Sequence, residues 1–205
     1  MGASERDAAL WEACSAGDLE EVRRLVEAGA NVNSPGKYQV TPLIAACEHL
    51  EVLRYLLAQG ADVNYTGFGE GSALMLAVYN GDLPQVELYL EHGADPNLAM
   101  PTGGETALHM GAVKARSTVV ARLLQAGADP NRHAATGQHS DMFEGGAKLW
   151  GETPLHYAAA YGDVEMIRAL LKANADRSAE NAHGEKPLAY AGRHMRPREI
   201  RDLLK

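Results

Sequence analysis

Four side chains that could bind a metal ion lie in one Gly-rich segment, RHAATGQHSDMFEGGAKLW, which spans residues 132–150. His133, His139, Asp141 and Glu144 supply imidazole and carboxylate groups, which zinc and other transition metals accept as ligands. No cysteine joins this His-x5-His-x-Asp order, and no helical pattern fixes the spacing of the four side chains. A metal-dependent enzyme or regulator that uses this segment is therefore the alternative function for the sequence.

Other motifs that would carry catalysis are weak or missing. The segment GFGEG at residues 67–71 contains Gly-x-Gly, but it lacks the third glycine and the strand–helix context of a dinucleotide-binding loop. The sequence contains no nucleophile elbow and no phosphate-binding loop. The recurring Asp18, Asp82 and Asp163 each follow a glycine and are predicted to cap helices. The sequence thus predicts a protein that is not an enzyme, with no catalytic residue, no bound metal and no cofactor.

The charge balance narrows the class of partner. The 205 residues carry a net charge of −8, and residues 1–100 hold 15 acidic against 5 basic side chains. An acidic body argues against nucleic-acid binding, which needs a basic stripe. The last twenty residues, with six basic and two acidic side chains, could meet an acidic partner surface.

The expected location follows from features that the sequence lacks. No apolar run approaches the ~20 residues of a membrane span, and the N-terminus MGASERDAAL has no signal pattern. Cys14 and Cys47 lie in helical patterns without zinc or redox spacing, so they are predicted to be reduced core residues. We expect a cytoplasmic protein that does not bind membranes.

The elements that position these side chains come from an internal repeat. The segment ETPLHYAAAYGDVEMIRALLKANADRS has counterparts in VTPLIAACEHLEVLRYLLAQGADVN, GSALMLAVYNGDLPQVELYLEHGADPN and ETALHMGAVKARSTVVARLLQAGADPN. A degenerate copy, DAALWEACSAGDLEEVRRLVEAGANVN, precedes them, and KPLAYAGRHMRPREIRDLLK follows. Five copies start 31, 34, 47 and 33 residues apart, at Thr41, Ser72, Thr106, Thr153 and Lys186. The chain therefore contains six units, at approximately residues 7–33, 34–64, 65–97, 98–131, 132–178 and 179–205.

Each unit predicts two short helices. Thr41 and Thr153 are suitable N-cap residues, and the prolines that follow them fit the first helical position. Gly-Asp pairs, as at residues 17–18 and 162–163, end the first helix and cap the second. A residue that tolerates left-handed backbone then closes the second helix: Gly29, Gly60, Gly93, Gly127 or Asn174. One helix pair cannot bury its apolar stripe alone, so the units must stack into a solenoid.

The Thr-Pro-Leu-His and Gly-Ala-Asp-x-Asn signatures, at a period of about 33 residues, resemble those of the ankyrin repeat family over essentially the whole chain. The resemblance implies an all-α fold, an ankyrin-repeat solenoid of stacked helix–turn–helix units with projecting loops. It implies one domain over residues 1–205, in which His109 and His156 are structural and bond within their repeats.

Three units depart from the pattern. The first and last units begin at Ala8 and Lys186 in place of threonine, and both are expected to cap the solenoid. Trp11 takes the histidine position of the first unit and is expected to plug the end of the core. Unit two is short and lacks the central glycine, so its helix–helix turn should be tighter or distorted.

The resemblance further implies binding of a partner protein in the concave face that inner helices and loop tips line. Aromatic residues and arginine are enriched at interface hot spots. The positions that would line this face are Tyr38, Val40, Phe68, Tyr79, Asn80, Glu105, Val113, Lys114, Leu149, Trp150, Tyr161, His183, Arg193 and His194. The expected partner contacts among them are Tyr38, Phe68, Tyr79, Lys114, Leu149, Trp150, Tyr161, Arg193 and His194. The alternative for Tyr79 and Tyr161 is that they cover neighbouring helices. The leading hypothesis is a monomeric, non-catalytic protein-interaction module that acts as a scaffold, an adaptor or an inhibitor.

The 47-residue spacing makes residues 132–150 an insertion of about 13 to 14 residues beyond the usual period. It falls between units four and five, where long loops are tolerated and are often functional. We expect an extended finger beside the binding face, with disordered filler as the alternative.

Overall fold

The structure is a computed structural model that describes residues 2–66, 71–139 and 148–205. These residues form a 3-10 turn at Lys37–Gln39, the strands β1 (Thr136–His139) and β2 (Lys148–Trp150), and twelve α-helices. The helices are α1 Ala3–Ala16, α2 Leu19–Glu27, α3 Pro42–Ala45, α4 Leu50–Ala58, α5 Ala73–Asn80, α6 Leu83–Glu91, α7 Ala107–Val113, α8 Ser117–Gln125, α9 Pro154–Tyr161, α10 Val164–Lys172, α11 Pro187–Arg193 and α12 Arg198–Leu203. Across the described ranges, every helix is too short or too polar to cross a membrane.

The helices pair along the chain and stack in two layers. We call the first helix of each pair the inner helix and the second the outer helix. Among the inner helices, α1 packs on α3, α5 on α7, and α9 on both α7 and α11. Among the outer helices, α2 packs on α4, α6 on α8, and α10 on both α8 and α12. Leucine, valine and alanine side chains of both layers form one apolar core, which confirms the predicted all-α solenoid.

The helix starts and ends follow the predicted chemistry. The Thr41 hydroxyl accepts the Ile44 N–H at the start of α3. The Asp18 carboxylate accepts the Glu21 N–H at the start of α2, and α6 and α10 are capped by aspartate in the same way. Unit two is distorted as predicted, because α3 has only four residues. The residues that close the outer helices all have positive φ: Gly29, Gly60, Gly93, Gly127 and Asn174.

A ladder of asparagine side chains joins successive units. The Asn97 side-chain amide donates to the Gly127 carbonyl at 3.0 Å, and its Oδ1 atom accepts the Asp129 N–H at 2.7 Å. At the N-terminal end, the Asp7 carboxylate accepts the Asn31 N–H at 2.8 Å. In later units an asparagine Oδ1 atom accepts the corresponding N–H. The asparagine that ends the Gly-Ala-Asp-x-Asn signature therefore connects units one to five in succession. Both bonds recur at Asn33, Asn64 and Asn131.

A second kind of contact between units occurs in every other unit. Units two, four and six lack the Gly-Asp turn, and each reaches back with a long polar side chain to the Gly-Asp turn of the unit before it. In unit four the Arg116 guanidinium donates to the Tyr79 carbonyl at 3.4 Å. Arg116 covers Gly81, where an added Cβ would come within 2.8 Å of its Nε atom. The counterparts are His49, which covers Gly17, and Arg196, which donates to the Gly162 carbonyl.

The insertion between units four and five begins and ends as a β-hairpin. β1 and β2 are antiparallel, with Thr136 opposite Trp150 and residue 139 opposite Lys148. The Ala135 N–H donates to the Gly103 carbonyl at 2.8 Å, which fastens the base of the hairpin to the preceding loop. This small sheet is an addition to the helical solenoid. Residues 140–147, which include Asp141 and Glu144, lie outside the described residues.

Candidate interaction surface

The candidate surface is the inner face, which consists of the C-terminal ends of the inner helices and the loop tips that precede those helices. Tyr38, Trp150 and His183 occupy one repeat position at the loop tips, three residues before the N-caps of α3, α9 and α11. The helix ends contribute Tyr79 and Tyr161, which fall in the last turns of α5 and α9. Residues from distant parts of the chain thus occupy equivalent positions in successive units.

The large hydrophobic side chains that the described residues expose all lie at loop tips or at the C-terminal ends of inner helices. Tyr38 is 89% exposed, Tyr79 44%, Tyr161 38% and Met195 89%. Tyr38 and Met195 also have positive φ angles of 59° and 50°, which non-glycine residues rarely adopt. The exposure of Met195, just after the last inner helix, was not predicted. Met195 occupies a position that a turn glycine fills in other units, and the prediction had searched for aromatic residues.

Two of the exposed tyrosines contact a cationic or imidazole side chain of the next unit. The Lys114 amine lies 4.0 Å from the centre of the Tyr79 ring. His194 meets Tyr161 edge-on, with 5.1 Å between ring centres. Lys114, Arg193 and His194 lie at inner-helix ends, as predicted from the repeat register. Tyr79 and Tyr161 thus contact neighbouring units and remain partly exposed.

Trp150 is the centre of a second group at the loop tips. Its ring lies 4.0 Å from the His183 ring, and the Lys148 amine lies 4.6 Å from the ring centre. The Ala182 N–H donates to the Trp150 carbonyl at 2.6 Å, which joins the tips of the last two units. Lys148 was missed at the sequence level, although its place two residues before Trp150 on a strand puts both side chains on one face.

Two predicted positions, Leu149 and Glu105, are buried and are not exposed on the inner face. Leu149 is only 1% exposed, because neighbouring strand residues alternate sides and Leu149 points opposite to Lys148. The prediction that Leu149 faces the groove is therefore wrong for this conformation. Glu105 is also fully buried. Phe68 lies outside the described residues.

The buried histidines hold consecutive units together. The His109 Nδ1 atom accepts the Thr106 N–H at 3.1 Å, so its Nε2–H can donate to the Glu152 carbonyl of the next unit, 3.3 Å away. His156 makes the same pair of bonds, to Thr153 and to the Glu185 carbonyl. Burial lowers the pKa of His109 to about 4 and also lowers the pKa of His156. Both imidazoles are therefore neutral linkers between units, which extends the prediction that they bond within a repeat.

Trp11 replaces this histidine in the first unit and makes the corresponding bond. Its indole N–H donates to the Val40 carbonyl at 3.0 Å, and Val40 directly precedes the next N-cap residue, as Glu152 does. The Trp11 ring also covers Gly36, where an added Cβ would lie 2.5 Å from a ring carbon. Trp11 is half-buried and joins units one and two, so the predicted plug at the end of the core is wrong.

Buried carboxylates serve the packing of the loop tips. Glu152 is buried, and its two oxygens accept the Tyr190 hydroxyl at 2.6 Å and the Trp150 N–H at 2.8 Å. Burial is the main cause that raises the pKa of the Tyr190 hydroxyl, and the bond to Glu152 adds to it. Sequence reasoning missed this pair, although each residue recurs at one repeat position, as Glu105 and Tyr157 do. Glu152 is thus occupied in joining units five and six.

The described ranges include two of the four candidate metal ligands, His133 and His139. These ranges contain no group of three or more His, Cys, Asp or Glu side chains that could hold a metal ion. The His133 Nδ1–H donates to the Gly151 carbonyl at 2.7 Å, which leaves only Nε2 for a ligand. Asp141 and Glu144 fall outside those ranges, so the structure does not describe the complete candidate set.

Stacked helix pairs, an asparagine ladder between units and one face that collects the exposed aromatic rings define a helical-repeat solenoid. The chain belongs to the ankyrin repeat family. Residues 2–67 and 66–134 match the family model described as ankyrin repeats (3 copies). Residues 148–191 match the model described as ankyrin repeats (many copies). The predicted family and fold are confirmed.

The chain is similar to curated proteins that have different names and to a solved repeat domain. The chain is 30% identical over 206 residues to the Homo sapiens palmitoyltransferase ZDHHC13, covering 89% of this chain and 33% of that protein. It is 30% identical over 204 residues to the Homo sapiens mitochondrial disaggregase, covering 98% and 26%. A solved ankyrin repeat domain from Acinetobacter baumannii AYE superposes with a TM-score of 0.80 at 25% identity, over 95% of each chain. This chain spans about a third of the length of the curated palmitoyltransferases that it matches.

Proposed function

We propose that residues 1–205 act as one non-catalytic module that binds a partner protein through the inner face, as a scaffold, an adaptor or an inhibitor. One observation carries the proposal: the exposed large hydrophobic side chains of the described residues, Tyr38, Tyr79, Tyr161 and Met195, share that face. Solenoids present such faces as continuous binding grooves. Aromatic rings contribute much of the binding energy at protein interfaces because they bury a large area with few rotatable bonds.

The chemistry of the buried polar groups favours binding over catalysis. His109 and His156 use both ring nitrogens in bonds between units, and Glu152 uses both oxygens. Groups occupied in this way are not free to transfer protons to a substrate. We extend the same proposal to a monomer with no nucleic-acid or membrane partner and a cytoplasmic location. The transferase and disaggregase activities in the relatives' names are not part of it.

A triple substitution tests the placement of the binding face. We expect Tyr79→Ala, Trp150→Ala and Tyr161→Ala together to weaken binding of a partner at least about 100-fold, because each removes a large ring from the inner face. Proteins retained by the immobilised chain from a native lysate would be identified, purified and measured by isothermal titration calorimetry against the parent and the variant. Far-UV circular dichroism would check that the variant keeps its helices.

The matched control replaces three exposed outer-helix residues, Gln125, Glu165 and Lys172, with alanine. This variant should bind the partner as the parent chain does, because its changes lie on α8 and α10 away from the inner face. Equal binding by the inner-face variant, with the helical signal intact, would contradict the proposal.

A further inference from the structure

The C-terminal half of the inner face carries positive charge, although the chain as a whole is acidic. Residues 1–100 hold 15 acidic and 5 basic side chains. From unit four onwards, this face presents amines beside its aromatic rings. These are the amines of Lys114 and Lys148. The imidazoles of His183 and His194 contact rings of the same group. This half of the face therefore suits a partner surface of negative charge.

The two amines contact rings and form no ion pair within the described residues. Lys114 lies over Tyr79 at 4.0 Å and Lys148 over Trp150 at 4.6 Å. None of the seven ion pairs in the described part of the chain includes either lysine. A cation over an aromatic face at an exposed site gains only about 0.5–1 kcal/mol, so each amine keeps most of its capacity to pair with an incoming carboxylate.

Among the described residues, the carboxylates near this part of the face are engaged elsewhere. Glu152 is buried and bonded to Tyr190 and the Trp150 N–H. Glu180 and Glu185 pair with Lys186 and with Arg193. Asp163, at the adjacent turn, accepts the Met166 N–H and the Ser117 hydroxyl.

The exposed acidic side chains of the outer layer lie away from this face. They include Glu51, Glu87, Glu91, Glu165 and Glu199 on α4, α6, α10 and α12. A chain whose net charge is −8 thus places two amines that form no ion pair, Lys114 and Lys148, beside the aromatic rings of Tyr79 and Trp150. At physiological ionic strength the Debye length is about 8 Å, so the local cations act on a docked segment more strongly than the distant carboxylates do.

We infer that the partner segment bound by the C-terminal half of the inner face is acidic. Its carboxylates would pair with Lys114 and Lys148, while apolar groups between them contact Tyr79, Trp150 and Tyr161. This inference rests on the proposed function, because it names the chemistry of the partner at the same face. Complementary charge of this kind adds specificity and speeds association.

Selection from a random twelve-residue peptide library displayed on phage tests the inference. Purified chain should enrich peptides rich in aspartate and glutamate. A selected peptide should bind the Lys114→Glu, Lys148→Glu variant about 10-fold or more weakly, because two attractive charges become repulsive. Raising sodium chloride from about 50 mM to about 500 mM should weaken binding to the parent chain and have a smaller effect on the variant.

The control variant Lys172→Glu, Arg177→Glu changes the net charge equally at exposed positions outside the inner face. It should bind the acidic peptides within about twofold of the parent, since only screened long-range charge differs. Equal loss in both double variants would attribute the effect to net charge and overturn the inference.

Other outcomes separate this inference from the proposed function. The selection could instead enrich neutral or basic peptides whose binding is lost in the Tyr79→Ala, Trp150→Ala, Tyr161→Ala variant. That result would support the binding face and overturn the inference that the partner is acidic. Peptides unaffected by that triple variant would overturn both proposals. A single-stranded oligonucleotide that bound as tightly as the best peptide, with the same loss in the lysine double variant, would assign the cations to nucleic acid and overturn the inference.

Discussion

Replacing His109 with alanine is expected to lower the free energy of unfolding by about 3 kcal/mol. The imidazole is fully buried, and it accepts the Thr106 N–H while its Nε2 lies 3.3 Å from the Glu152 carbonyl. Alanine would leave both backbone groups without their partner and would create a cavity between units four and five. Chemical denaturation followed by circular dichroism would measure the loss.

The same burial makes stability depend on pH. The pKa of His109 falls from its ordinary 6.5 to about 4, mainly because burial disfavours the charged ring, although its bond to the Glu152 carbonyl opposes this. The unfolded chain therefore binds a proton at this histidine below pH 6.5, whereas the folded chain does not until about pH 4. The contribution of neutral His109 is complete above pH 6.5 and is lost as the pH falls towards 4. The loss reaches about 3 kcal/mol over the whole window.

A glutamine at this position isolates the titration. His109→Gln keeps a side chain that can accept the Thr106 N–H, as glutamine does in capping boxes, but it does not bind a proton in this range. Between about pH 7.5 and about pH 5, its free energy of unfolding should fall by about 2 kcal/mol less than that of the parent chain. The exposed His194→Gln serves as the control and should retain the parent's pH dependence. If the free energy of unfolding had the same pH dependence in His109→Gln and in the parent, folding would not lower the pKa of His109.

Much of the fold could be predicted because one helix pair is repeated. Thr41 and Asp18 have the chemistry of helix caps, and Gly29 closes an outer helix at a positive φ. Each of these roles depends on neighbours within a few residues of sequence, so the residue type alone was informative. The repeat register also assigned Tyr79 and Tyr161 to the last turns of inner helices without knowledge of any contact.

The remaining features depend on contacts between units or on chain outside the repeat. Leu149 was placed on the face by counting back from Thr153, but the hairpin that precedes it alternates its sides and buries it. The Arg116 contact over Gly81 requires a side chain to cross from one unit to another, which no local pattern reports. Trp11 replaces a histidine with a different type of side chain. Only its indole N–H bond to the Val40 carbonyl shows that it joins two units as the histidines do. The roles of these three residues depend on contacts with residues far away in the sequence.

Replacing Asn97 with alanine is expected to lower the free energy of unfolding by about 2 kcal/mol, because two hydrogen bonds of about 1 kcal/mol each are lost. The bonds join unit three to unit four, through the Gly127 carbonyl and the Asp129 N–H. Asn97→Asp keeps an acceptor for the Asp129 N–H and loses the donor, so it should cost about half as much. Asn80→Ala changes an exposed asparagine outside the ladder and should stay within about 0.5 kcal/mol of the parent.

The position of Asn97 in the stack makes cooperativity the sharper measurement. In a solenoid, stability is approximately a sum of unit terms and nearest-neighbour terms, so a weakened central interface lets the two halves unfold separately. Asn97→Ala should therefore lower the apparent m-value in urea as well as the midpoint. Asn33→Ala removes the same pair of bonds at the first interface and would release only one unit, so its m-value should change less. Equal m-values in both variants would mean that the apolar core alone couples the units and that the ladder adds stability without transmitting it.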